Sequence, residues 1–130
     1  MSWKVRSIRG ATTCLENTEA DIRDAVNELI KAIELHNQPL DFSEIIHVTF
    51  SVTQDLDQIF PAAVAREHPL WESIPLLDVQ HMHVEGGLEK CIRCLIQFNM
   101  AEPGHPIHHV YLREAKELRP DLSLPAPVTL

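Results

Sequence analysis

Apolar residues recur along one stretch of the chain at helical spacing: Ile22, Ala25, Val26, Leu29, Ile30 and Ile33 follow i, i+3, i+4, i+7. Thr18-Glu-Ala-Asp21 just before them resembles a capping box, and His36-Asn37 followed by Pro39 signals the end, so a long helix is predicted between. The pattern then changes period. Ile46, Val48, Phe50 and Val52 alternate with Ile45, His47, Thr49 and Ser51, which predicts a strand over 45–52. Asp41 with Glu44 can cap one further turn ahead of it. Trp3 to Thr13 reads as a strand with Arg9 near its end. Ile74 to Val79, Cys91 to Asn99 and Val110 to Leu112 read as three more, with a turn or bulge at Gly86-Gly87. Asp55 through Glu67 reads as helical but interrupted by Pro61, whose missing N–H and ring clash favour two short helices over one.

These elements predict an α/β (α+β) fold: one domain over 1–118, a mixed sheet of about five strands, and one long and one broken helix on one face. Residues 119–130 hold three prolines and no periodicity, so they are expected to form a mobile tail. Both faces of the predicted sheet carry apolar residues, whereas the two helices can cover only one. A homo-oligomer with the second face or edge in the interface is therefore expected.

Composition narrows the classes. At 130 residues and 45% hydrophobic content the chain makes one ordinary core. Nineteen acids against eleven bases, with no basic run, argue against nucleic acid as a partner. No apolar stretch reaches the length of a membrane span or a secretory signal, so a cytoplasmic location is expected. Three cysteines do not make a disulfide framework.

Several constellations bear on chemistry. Cys91 and Cys94 have the spacing of half a metal site, but residues three apart on a strand point to opposite faces, so they read as core. His81 and His83 share a strand face, with His108, His109 and Asp78 available as further ligands, yet no spacing ties the five together. There is no nucleophile elbow and no phosphate-cradling glycine loop. The arginines stand out. Arg9 lies near a strand end, Arg66 near a helix end, Arg119 at the root of the tail, and Arg93 within an apolar strand, where it needs a carboxylate partner from the protein or from a ligand. Tyr111, the single tyrosine, reads by itself as core or interface.

Five blocks in order, Arg6-Ser-Ile-Arg9-Gly-Ala-Thr-Thr13, Thr53-Gln-Asp-Leu-Asp57 leading into Phe60-Pro-Ala-Ala-Val-Ala-Arg66, Gly86-Gly-Leu-Glu-Lys-Cys-Ile-Arg93, His109-Val-Tyr111 and Leu118-Arg119-Pro-Asp-Leu-Ser123, strongly resemble the monofunctional, trimeric α/β class of chorismate mutases. The resemblance runs from about Val5 to Ser123. It implies a homotrimer built as a pseudo-α/β barrel, with active sites between subunits. It also implies the cofactor-free, metal-free Claisen rearrangement of chorismate to prephenate on the route to phenylalanine and tyrosine. Carried over by position, it makes Arg93 the cation at the ether oxygen and gives Arg9 and Tyr111 the side-chain carboxylate. Phe60 and Ala62 become an apolar wall across the interface, beside a strand contributing Leu76, Leu77 and Asp78. Arg66 and Arg119 fall near the ring carboxylate, with Leu118 and the tail closing over the ligand.

Two positions depart from the family pattern. Ala63 stands where many members carry Lys, removing one cation from the mouth. His81 stands where members usually have a Glu that accepts from the ring hydroxyl; a neutral imidazole can accept that bond, with Asp78 expected as helper or substitute. The competing readings are an imine deaminase-like trimer, which the first and last blocks fit poorly, and a ligand-binding trimer without turnover.

Overall fold

The computed structural model describes residues 2–122. In chain order it contains β1 (Trp3–Thr13), α1 (Glu19–His36), β2 (Ile45–Val52), α2 (Pro61–Ala65), β3 (Leu76–Gln80), β4 (Cys91–Ala101) and β5 (Val110–Tyr111). Short 3-10 turns lie at Phe42–Glu44, Pro69–Trp71, Arg113–Glu117 and Pro120–Leu122. The five strands form one mixed sheet in the order β3-β2-β4-β1-β5. β4 runs antiparallel to β1 and β2, while β5 and β3 run parallel to β1 and β2 respectively.

α1 starts where the Thr18 hydroxyl accepts from the Asp21 N–H at 3.1 Å, which satisfies one otherwise orphaned donor. Its apolar stripe is the predicted one: Ile22, Ala25, Val26, Leu29, Ile30 and Ile33 are all buried. They pack on the sheet face formed by Ile8, Val48, Phe50, Ile92, Ile96 and Phe98. Gly10 lets the helix come close to β1, since a Cβ there would sit 2.8 Å from Cys94 Sγ and 3.0 Å from Ile33 Cδ1. Asp41 caps the turn at Phe42–Glu44 as its spacing predicts, accepting from the Ser43 N–H at 3.0 Å.

Three expectations change. Pro61 does not interrupt a helix but begins one, occupying the first position of α2, where a missing N–H costs nothing. Residues 55–60 before it are non-helical. In β2 the alternation holds from Val48 onward and fails before it, because a register shift between Ile45 and His47 buries Ile45 and exposes Ile46. The second face of the sheet is also not wholly bare. Tyr111, Ala11 and Ala115 form a small buried cluster with Leu88, Leu118 and Leu122 against it, contributed largely by the C-terminal 3-10 turns. Away from that cluster Val5, Leu77, Val79 and Leu95 remain exposed on the chain by itself.

β3 starts later than predicted, at Leu76, and β4 runs on to Ala101. The Gly86-Gly87 pair lies in a turn, and Gly86 has φ +80°, which favours glycine. Of the segment expected to form a tail, residues 119–122 form a turn in which Asp121 grips the Arg119 guanidinium at 2.8 and 3.0 Å. Residues 123–130 lie outside the described part. Among the described residues no helix is long and apolar enough to cross a membrane.

Candidate active site

Strand register assembles the site. Ser51 of β2 pairs with Arg93 of β4, Arg93 pairs with Ala11 of β1, and Ala11 pairs with Tyr111 of β5. Paired residues point to the same face, so these four side chains form a row across the sheet, on the face opposite α1. Neighbouring strands lie about 4.8 Å apart, which places Arg93 and Tyr111 about 10 Å apart with only the small Ala11 between them. Arg9, one pair further along beside Leu95, stands diagonally from Arg93. Arg9, Arg93, Tyr111, Thr49 and Ser51 accordingly line one cavity of about 300 Å³.

Arg93 is exposed in the single chain and takes part in none of the ion pairs formed among the described residues. β4 buries Ile92, Cys94, Ile96 and Phe98 on the α1 side, and Arg93 stands on the other. Its positive charge is thus directed into the trough it shares with Arg9, Thr49, Ser51 and Tyr111.

His81, just past the end of β3, extends the row. Its N–H donates to Val52 O at 3.1 Å, and ring Nδ1 lies 3.0 Å from Ser51 Oγ. Burial and, next, the Arg93 charge push the His81 pKa below its ordinary 6.5, favouring the neutral ring. When Nδ1–H donates to Ser51, Nε2 is left as a free acceptor. His81 and Arg93 share a second cavity of about 440 Å³ with Thr53, Met82 and His83.

Asp78 is not beside His81. It pairs with Phe50 on the α1 side of the sheet, three residues from His81 and hence on the opposite face. Its Oδ1 accepts from the Ala62 N–H at 3.0 Å. Burial raises the Asp78 pKa, against the opposing effects of that hydrogen bond and of nearby Arg66. Within one chain this carboxylate is held at the start of α2, apart from His81.

Strand alternation also divides the expected trio on β3. Leu77 is on the open face, whereas Leu76 and Asp78 turn toward the helices. Ala62 is 2% exposed and belongs to the core of the single chain. Phe60, next to it, is 69% exposed. Phe60 and Asp78 line a cavity of about 500 Å³ with Leu56, Ile59 and Val79. Ala63 is half-buried and Arg66 exposed at the end of α2. Within one chain, then, two groups form: Arg9, Arg93, Tyr111 and His81 on the open sheet face, and Phe60 with Arg66 at α2. Leu118 packs on the Tyr111 cluster, and the Arg119 charge is felt by neighbouring His109.

Cys91 and Cys94 are buried and form no disulfide, and burial pushes Cys94 up to about 12, as suits an inert core thiol. Among the described residues no three His, Cys, Asp or Glu side chains converge as metal ligands. Sequence reasoning missed Ser51, whose polar place in the β2 alternation was visible, and Ala11, whose smallness opens the trough. Asn37, read only as the end of α1, also clamps His108: its amide donates to His108 O at 2.9 Å and accepts from His108 N at 2.8 Å.

The family model described as chorismate mutase type I matches residues 5–122. The chain is 41% identical over 122 residues to chorismate mutase AroH of Bacillus subtilis (strain 168), covering 92% of this chain and 94% of that protein. To chorismate mutase AroH of Thermus thermophilus it is 42% identical over 118 residues, covering 91% and 96%. Among solved structures, chorismate mutase from Clostridium thermocellum superimposes with a TM-score of 0.78 at 40% identity, covering 86% of this chain and 98% of that one. A family model matched over residues 5–122 and relatives more than 40% identical over nine-tenths of the chain place the protein in the chorismate mutase type I family.

Proposed function

We propose that this chain converts chorismate to prephenate as a cytoplasmic homotrimer, at sites shared between subunits. The observation that carries the reading is the row of Ser51, Arg93, Ala11 and Tyr111, flanked by Arg9 and His81 on a sheet face left partly apolar and open. Exposed Val5, Leu77, Val79 and Leu95 on that face support burial against a second copy. A neighbour packed there brings its Phe60 and Arg66 to the trough, completing what one chain holds in two separate groups.

The reaction is a concerted pericyclic shift, in which no proton moves and no covalent enzyme intermediate forms. The protein contributes geometry and charge. An apolar wall at Phe60 opposite a cationic trough folds the enolpyruvyl arm over the ring, which free chorismate does only at an entropic cost. Arg9 holds the side-chain carboxylate through its planar fork and Tyr111 through its phenol. As the C–O bond breaks, negative charge gathers on the ether oxygen, and the Arg93 guanidinium stabilises that state more than the ground state. Neutral His81 accepts from the ring hydroxyl through Nε2. Arg66 and Arg119 meet the ring carboxylate, and Leu118 closes over the ligand at the end of the domain formed by residues 1–118. The loss of chorismate absorbance with appearance of prephenate tests the activity. Sedimentation tests the trimer, and a monomer that turns over chorismate would refute the shared site.

A further inference from the structure

β1 is short of a partner on its outer side. β5 has only two residues, which pair Gly10 with Val110 and Ala11 with Tyr111. On that edge Ala11 O accepts from the Leu112 N–H at 2.9 Å, so the backbone groups of Arg9, two residues earlier, point to the same side. A longer β5 would answer the Arg9 N–H with a carbonyl. His108, whose carbonyl the continued register would offer, cannot supply it, because both its backbone groups are taken by the side chain of Asn37 at the end of α1, at 2.8 and 2.9 Å. The His109 ring fills the gap: its Nδ1 accepts from the Arg9 N–H at 2.9 Å, across one hundred residues of sequence.

We propose that His109 is a positioning residue for ligand binding, its ring Nδ1 fixing the edge of β1 from which Arg9 reaches the ligand carboxylate. The proposal rests on the reading of Arg9 given above. An imidazole accepts only through an unprotonated nitrogen, so His109 must be neutral with its proton on Nε2. Its surroundings favour that state. Burial and then the charges of Arg9 on β1, Arg119 in the C-terminal turn and adjacent His108 hold its pKa below the ordinary 6.5. Asp121, the acid of that turn, is paired with Arg119 at 2.8 Å.

Heteronuclear NMR on the wild-type protein reads the tautomer directly: an Nε2–H ring with a hydrogen-bonded, unprotonated Nδ1 is expected, and an Nδ1–H ring overturns the proposal. Calorimetric titration with prephenate then reads the function. His109→Leu should bind prephenate about three- to tenfold more weakly, the effect of one hydrogen bond. His109→Asn, whose Oδ1 can stand in for Nδ1, should bind within twofold of wild type. In an Arg9→Ala background His109→Leu should add nothing. Wild-type affinity in His109→Leu, or an equal loss with and without Arg9, overturns the positioning role. Arg9→Ala with wild-type affinity instead overturns the reading of Arg9 itself. If His109→Leu fails to fold, failure of His109→Asn to bind as wild type overturns the proposal.

Discussion

Replacing Arg93 by Gln tests the electrostatic account most directly. Gln keeps an amide donor and part of the aliphatic stem but removes the charge. For half a unit of negative charge on the ether oxygen about 4 Å from the guanidinium, at an effective dielectric near 20, the lost attraction is about 2 kcal/mol. Loss of a charge-assisted hydrogen bond in a water-excluded site brings the expectation to the range of a missing oxyanion donor, on the order of 10²–10³ in kcat. The structure separates this from a folding defect. Arg93 is exposed and enters none of the ion pairs among the described residues, so its removal breaks none of these. Stability should therefore change by no more than about 0.5 kcal/mol. Chorismate turnover followed by absorbance gives kcat and KM, and a thermal melt gives stability. A near-native kcat would refute the reasoning, as would a loss confined to KM, which would make Arg93 a holder of ground-state charge only.

Other perturbations follow from the same geometry. His81 is held below 6.5, so kcat/KM should stay level down to about that pH and fall only below it, as the ring gains a proton and loses its acceptor. A flat profile from pH 8 to 5, or an unchanged fall in His81→Gln, would remove His81 from the site. Asn37→Ala deletes a buried amide that bonds Ile33 O and both backbone groups of His108, and should cost about 1–3 kcal/mol in denaturant unfolding; an unchanged midpoint would count against that clamp. Gly10→Ala drives a methyl group to 2.8 Å from Cys94 Sγ and should destabilise by about 1–3 kcal/mol, a loss that also changing Cys94 to Ala should partly recover.

Net charge carries little information about this site. A chain of −8 reads as a poor host for a dianion, yet Arg9 and Arg93 share one trough because β1 and β4 are paired in register. The −8 describes the solvated surface, where long-range steering of an anion is weak or adverse. Weakened substrate capture at low ionic strength, with salt improving kcat/KM, is the corresponding expectation.

Period and punctuation in the sequence were enough for α1, for the existence of all five strands, for the cap at Thr18 and for the turn at Gly86, because each depends on residues near in the chain. The five blocks of resemblance were enough for the family. Pro61 was misread because a proline that breaks a helix interior and one that begins a helix are the same residue until neighbouring structure fixes where the helix starts. Alternation in β2 could not reveal the bulge at Ile45, which exists only relative to β4. The site was legible as a set of residue types but not as an arrangement. Whether Asp78 faces His81 or α2, whether Ala62 is wall or core, and which group answers the Arg9 N–H depend on pairing between segments up to one hundred residues apart. Local sequence sets which side chains are present, and strand register, a property of the folded sheet alone, sets which of them meet.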